Sequence, residues 1–305
     1  MTCIDTRVNI NPMTLQETII SIVYCISSFF PIFVLIYNKI MKKTFLSDKT
    51  PIYCIIPTEA IILDEHIKGY LDHGIFVKEN DTIIDVGANI GVLGIRLSKS
   101  FKSIYIHSFE PIPEIFNVLK KNSQISKNKN FKVYQKGIGH KSSKQKFTYF
   151  PNSPALSTAK PEMWEKNPKA FIKAVKGSIK NAPKKFWWAK LIPSFLIPFI
   201  AKRLLKNSRK IECEISTISK IIKEQNINEI NLLKIDCEGF EWNVLMGIQQ
   251  SDWRKIHSIV MEIHDVENRL NNTVKLLKKH GFKNIKTEKE KALKETKLIN
   301  LYATK

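Results

Sequence analysis

From Asp81 onward the chain alternates short apolar runs with amphipathic stretches. Thr82 to Val86, Ile104 to Phe109, Phe131 to Gln135, Ile230 to Ile235 and Ile256 to Ile263 are five to eight residues long and rich in β-branched side chains, as buried strands are. Between them, Val92 to Phe101, Pro113 to Asn122, Thr217 to Glu224 and Asn272 to His280 read as helices. Pro113 suits a first helical turn and Gly281 a C-terminal cap. Phe282 to Thr287 and Leu298 to Ala303 close the series as strands. Ahead of it, Thr50 to Thr58 reads as a strand and Asp64 to His73 as a helix leading into the sheet. Phe147 to Phe150 adds a short strand, Asn152 to Thr158 is rich in turn residues, and at Ile211 to Ile215 the sheet resumes. Strands and helices in alternation predict an α/β fold.

The strand ends carry the chemistry. Asp85-Val-Gly87-Ala-Asn89-Ile-Gly91 joins the first run to its helix, and its glycines let a ligand approach the backbone at the positive end of that helix. A dinucleotide fingerprint needs a glycine where Asn89 stands, which weakens a pyrophosphate reading. D-x-G-x-x-x-G instead resembles the first motif of class I S-adenosylmethionine-dependent methyltransferases, whose loop wraps the amino-acid end of a cofactor without phosphate. Glu110 closes the next run, where an acid is the expected partner of ribose hydroxyls. Gly137 and Ile138 end the third run, where adenine-side contacts are expected.

Ligands lie at the carboxyl ends of strands in open α/β sheets, so Asp236 faces the same crevice as Gly87 and Glu110. It suits a group that positions the transferred methyl or deprotonates a hydroxyl; its bland alternative is a helix cap. Glu262 and His264, two apart in an extended chain, project to one side, and a histidine there suits a general base. The alternative is a surface histidine with local hydrogen bonds. Asp236, His264 and Glu262 are the catalytic candidates, and no metal is assigned.

Asp85-Val-Gly-Ala-Asn-Ile-Gly91, Phe109-Glu-Pro111, Leu233-Lys-Ile-Asp-Cys-Glu-Gly239 with Glu241, and Met261-Glu-Ile-His264 occur in this order. In this they resemble the FkbM-type methyltransferase family, roughly from Asp81 to Phe282. The resemblance implies a class I (Rossmann-like) fold, a mostly parallel seven-stranded sheet with helices on both faces. It further implies methyl transfer from S-adenosyl-L-methionine to an oxygen, typically a hydroxyl on a sugar or secondary metabolite. Asp85, Gly87, Asn89, Gly91, Glu110, Gly137 and Ile138 are then the cofactor-binding candidates. The family pattern is more compact than this chain, which adds an apolar N-terminal segment and a basic, aromatic, helical insertion.

Thr18 to Tyr37 is twenty residues without a charge, long enough to span a bilayer, and Lys39, Lys42 and Lys43 follow it. Lys160 to Lys210 holds fourteen Lys or Arg against two acids, much of the net +21. Within it, Phe186 to Ala201 is aromatic and flanked by cations, a composition that suits a membrane interface or a lid. The reading is a membrane-associated enzyme with a cytoplasmic catalytic domain, taking a small-molecule, glycan or lipid-linked acceptor. Residues 1–49 form the N-terminal segment and 50–305 the methyltransferase domain, with the insertion at 160–209. Five cysteines without a C-x-x-C pair fit a reduced compartment and no zinc site. Two competing readings differ in class. A nucleic-acid methyltransferase fits the charge but lacks an Asn/Asp-Pro-Pro-Tyr/Phe motif, and nucleic acid is not the expected partner. A non-catalytic membrane-bound module keeping the fold is opposed by the intact first motif and Asp236.

Overall fold

The computed structural model describes residues 41–289 and 298–305. Seven strands form the central sheet: β3 (Thr82–Val86), β4 (Tyr105–Phe109), β5 (Phe131–Tyr134), β9 (Ile230–Ile235), β10 (Ile256–His264), β11 (Asn284–Glu288) and β12 (Leu298–Thr304). Their spatial order is β11-β12-β10-β9-β3-β4-β5, and β12 alone runs antiparallel to its neighbours. The order reverses direction at β3, leaving a crevice at the carboxyl ends of β3 and β9, where such sheets bind ligands.

Successive residues of the central strands point to opposite faces, and both faces are apolar. Ile83, Leu232 and Val260 join one core with Tyr70, Leu93, Leu97 and Leu119. Their chain neighbours Ile84, Leu233, Ile259 and Met261 join another with Ile218, Ile221, Val244 and Leu277. Helices Pro57–Ile67, Val92–Ser100 and Pro113–Ile125 therefore serve the first face, and Ile218–Glu224, Glu241–Met246 and Arg269–Lys279 the second. The α/β fold expected from the alternating runs, and the Rossmann-like architecture implied by the family resemblance, are present.

Two local expectations are corrected. The helix placed at Asp64 to His73 starts earlier, at Pro57, and ends in a 3-10 turn, Lys68–Leu71. Pro57 begins it because the missing amide hydrogen of proline costs nothing in a first turn. The extended segment before it is β2 (Pro51–Cys54), paired antiparallel with β1 (Lys42–Phe45). The sheet also does not resume at Ile211: β8 (Arg209–Ser216) pairs antiparallel with β7 (Ser143–Tyr149) and parallel with β6 (Gly137–Ile138), making a second sheet of three strands. Its apolar residues Phe147, Tyr149, Cys213 and Ile215 bury against Ile112, Ile115 and Ile52.

The segment between β7 and β8 is built of short elements. They comprise helices Glu162–Glu165, Pro168–Lys180 and Ile197–Leu204, with 3-10 turns at Lys184–Leu191 and Ser194–Leu196. Phe171, Val175, Ile197 and Ala201 form a small core of their own, edged by Trp164.

The expected membrane-associated localisation is corrected here. Among the described residues no helix is long and apolar enough to cross a membrane. The aromatic run from Phe186 is broken near Pro193 into 3-10 turns and the short helix Ile197–Leu204; its Ala189, Ile197 and Ala201 are buried, while Trp187, Leu191, Phe195 and Phe199 are exposed. Thr18 to Tyr37, and with it the expected N-terminal apolar helix, lies outside the described residues.

Candidate active site

Strand register assembles the site. Asp85, Lys234 and Val260 lie side by side on β3, β9 and β10, on the face that carries Ile83 and Leu232. One step beyond β9 on that face comes Asp236, with Glu262 on β10 and Asn300 opposite it on β12. Along this face each strand thus changes from apolar to polar as it reaches the crevice.

Gly87 explains why the first turn can sit there. Its φ is 72°, and a Cβ would stand 1.7 Å from the Asp236 carbonyl oxygen, so the turn packs directly on the end of β9. Lys234 ties the two strands together. Its Nζ, almost wholly buried, lies 3.1 Å from Asp85 Oδ1 and donates to the Gly87 carbonyl at 2.8 Å. Burial opposes that charge, but Asp85 and Asp236 outweigh it and raise the lysine pKa. Asp85 therefore acts on the turn through Lys234, from beneath it, at 1% exposure.

Glu110 ends β4. Its carboxylate accepts the backbone N–H of Asn89 (3.2 Å) and of Ile112 (3.0 Å). Burial dominates these contacts and raises its pKa to about 7. Asn89 takes a left-handed conformation, φ 49°, and its Oδ1 accepts the N–H of Ile90. Gly91 starts the helix, also at positive φ. Gly137 and Ile138 lie on β6 beside Ile215 and Ser216 of β8, rather than on the central sheet.

On the acceptor side, Asp236 Oδ2 accepts a hydrogen bond from the Tyr70 hydroxyl (2.9 Å) and lies 3.8 Å from Lys234 Nζ. Burial pushes its pKa up, yet Lys234, His66 and the Tyr70 bond together bring it below the ordinary carboxylate value. Glu262 lies 3.4 Å from His66 Nε2; burial, then the Asp236 charge, raises its pKa. His264 stands between Glu241 Oε1 (3.4 Å) and Glu238 Oε2 (3.5 Å). Both are ion-pair distances without hydrogen-bond geometry. Burial opposes the imidazolium, but the two carboxylates prevail and raise its pKa well above the usual value. An imidazolium has no lone pair left to accept a proton.

Glu238 adopts φ 51° at the turn after β9, its carbonyl accepting from the Thr158 hydroxyl at 2.6 Å. Gly239 N–H donates to Glu241 at 2.6 Å, and the Met163 sulfur packs on Gly239. Trp164 sets its ring edge toward His264, centroids 6.0 Å apart. The insertion thus borders the strand-end cluster. One carboxylate oxygen each of Asp236, Glu238 and Glu262 lies within 4.8 Å of the others, a spacing that could hold a divalent cation.

Sequence reasoning missed Lys234, and also Glu59, His66 and Tyr70, which bring helix Pro57–Ile67 and its 3-10 extension to the site. Glu59 accepts the Ala155 N–H at 2.8 Å, and its pKa, raised mainly by burial, responds also to Glu238. The signal was present: Lys234 lies two residues before Asp236, and positions 59, 66 and 70 share one helical face.

S-adenosyl-L-methionine fits these residues. The turn gives close backbone approach at a helix start, and an acid ends the adjacent strand beside it. Comparisons with known proteins agree. The family described as the methyltransferase FkbM domain matches residues 85–283. The chain is 28% identical over 213 residues to the 31-O-demethyl-FK506 methyltransferase FkbM of Streptomyces tacrolimicus, covering 70% of this chain and 76% of that protein. It is 27% identical over 248 residues to methyltransferase sdnD of Sordaria araneosa, covering 77% and 87%. Among solved structures, methyltransferase FkbM from Methylobacillus flagellatus KT is similar at TM-score 0.46 and 13% identity, covering 80% of this chain and 52% of that one. The chain belongs to the FkbM methyltransferase domain family, and is an enzyme that draws its methyl group from S-adenosyl-L-methionine.

Proposed function

We propose that this enzyme methylates a hydroxyl oxygen on a sugar or secondary-metabolite acceptor. The observation that supports the reading is the Asp236 carboxylate, 3.8 Å from a Lys234 Nζ that itself donates to the Gly87 carbonyl, so that an acid stands next to the glycine turn. The name of the Streptomyces tacrolimicus relative specifies transfer to an oxygen, which supports the same chemistry here. The sulfonium methyl of S-adenosyl-L-methionine is already activated, so the protein supplies position and a place for the hydroxyl proton.

In this reading Gly87, Asn89 and Gly91 form the cofactor turn, Asp85 supports it through Lys234, and Glu110 takes the ribose hydroxyls. Gly137 and Ile138 border the adenine side. Asp236, ionised across neutral pH, accepts the acceptor hydroxyl, orients it and receives its proton. Glu262 stands next to it as a hydrogen-bond partner for a further hydroxyl. His264 holds Glu238 and Glu241 in place as a cation and is a positioning residue, not the base.

Incubating the full chain with methyl-labelled S-adenosyl-L-methionine and fractionated extract (small molecule, glycan, lipid, RNA) tests this. Label is expected in an alkali-stable ether of a small molecule or glycan. Asp236→Ala should lower transfer by about 10²–10⁴-fold with little change in cofactor affinity. Label in RNA, or an Asp236→Ala variant with near-wild-type transfer, would overturn the reading.

A further inference from the structure

Two carboxylates at the candidate site, the half-buried Asp236 and the buried Glu262, are each met by one side chain from the same short segment. Tyr70 donates to Asp236 and His66 faces Glu262, and both lie ahead of the family-matched residues 85–283. The two are four positions apart, spanning the end of the helix and the following 3-10 turn, and their rings meet edge to face with centroids 5.2 Å apart. The segment is firmly anchored. Asp64, fully buried on the same helix, accepts from Arg96 Nη2 at 2.5 and 2.7 Å, and also from the Ser47 N–H at 2.8 Å. Helix Val92–Ser100, which follows the cofactor turn, is thereby bolted to the helix that carries His66. Tyr70 itself is 2% exposed, packed with Ile83, Leu93 and Val260.

We propose that His66 and Tyr70 are positioning residues of the active site, Tyr70 fixing the Asp236 carboxylate toward the acceptor and His66 fixing that of Glu262. The geometry gives this a direction. The Tyr70 and Lys234 contacts both fall on Oδ2 of Asp236, so Oδ1 is the oxygen that faces the acceptor. Phenol is a neutral donor and imidazole can carry charge, so each contact works against the burial that disfavours the charged form of the carboxylate it meets. Eight groups face or neighbour Asp236. Lys234, Cys237 and Glu238 come from its own strand and turn, Glu262 and His264 from β10, Asp85 from β3, and His66 and Tyr70 from the helix and its 3-10 extension. Removing either helix residue takes away a contribution that favours the carboxylate, so the Asp236 titration should move up.

The proposal rests on Asp236 as the acceptor-side group, and the experiment separates the two. Full-length Tyr70→Phe and His66→Gln are prepared. The Asp236 carboxyl carbon, assigned by its loss in Asp236→Asn, is titrated by NMR in cofactor-free protein. In parallel, methyl transfer from labelled S-adenosyl-L-methionine into the extract fraction that accepts label is followed against pH, and cofactor affinity is measured by calorimetry. Tyr70→Phe is expected to raise the Asp236 midpoint by roughly one pH unit. The acid limb of transfer should follow it, with cofactor affinity within about twofold of wild type, since Tyr70 has no place in the cofactor turn. An unmoved Asp236 midpoint in both variants would overturn the proposal. A moved midpoint with an unmoved transfer profile upholds the positioning and overturns Asp236 as the acceptor-side group. If Tyr70→Phe does not fold, His66→Gln carries the same comparison from a less buried ring.

Discussion

At Gly87 the backbone has no room for any other residue. The atom that an added Cβ would strike is a main-chain carbonyl of β9, which cannot swing aside, and φ is left-handed. Holding alanine there stores about 1–3 kcal/mol of strain before the clash is relieved. Gly87→Ala should therefore weaken S-adenosyl-L-methionine binding by about tenfold or more. Calorimetry with the cofactor and its demethylated product checks this, and unchanged affinity would place the ligand elsewhere. Glu110 gives a pH signature of its own. Its folded pKa stands near 7 because burial disfavours the charge, while ribose hydroxyls donate best to the ionised form. Cofactor affinity should accordingly fall as pH drops from about 8 to 6, and Glu110→Gln should flatten the profile.

Among the elements, the stretch between β7 and β8 is held by its own small core, whose Phe171 is 4% exposed. Phe171→Ala is expected to remove about 3–5 kcal/mol from that core. The seven-stranded sheet uses separate apolar clusters, so it should survive. Limited proteolysis would then cut between residues 166 and 206 at a protease concentration that leaves wild type whole, while cofactor affinity stays within about twofold. Simultaneous loss of both would show the insertion to be part of the cofactor site. Met163 packs on Gly239 in the turn after β9 and Trp164 on His264 at the end of β10, so transfer, unlike cofactor binding, should suffer.

For the whole molecule, the balance of charge and the site point in opposite directions. The chain is strongly basic at +21, yet its strand ends gather Glu59, Asp236, Glu238 and Glu262. Burial raises the folded pKa of Glu59 and Glu110 to about 7 and of Glu262 to about 8, from 4.5. Such groups hold protons more tightly when folded, so their contribution is complete below about pH 4.5 and is lost as pH rises through 7 to 8. Asp236, whose folded pKa is depressed, works in the opposite sense: its contribution is present above its ordinary 3.8 and lost as pH falls through the folded value. Cofactor-free protein should therefore melt highest near about pH 5 to 6 and several degrees lower by about pH 8.5. Scanning fluorimetry across that range checks this, with Glu59→Gln and Glu262→Gln expected to flatten the decline. A melting temperature that climbs from pH 6 to 8 would contradict it.

The sequence by itself determined whatever depends on local periodicity and on residues close in the chain. The apolar runs at Thr82 to Val86 and Ile230 to Ile235 are strands because β-branched residues buried on both faces leave no other stable arrangement. The glycine turn was legible from residues close in the chain as well, since its close backbone approach to the end of β9 demands glycine at position 87. Tertiary structure decided what depends on contacts between distant segments. The sequence could not show that Tyr70 reaches Asp236 across 166 positions, or that Lys234 bridges β9 to the turn after β3. It offered His264 as a candidate base, because an isolated histidine titrates near neutrality. Only the fold places Glu238 and Glu241 on either side of that ring, and two nearby carboxylates in a buried setting favour the imidazolium. The run from Phe186 shows the same division: its composition is uniform in the sequence, but only the fold turns Ile197 and Ala201 into a small core and leaves Trp187, Phe195 and Phe199 exposed.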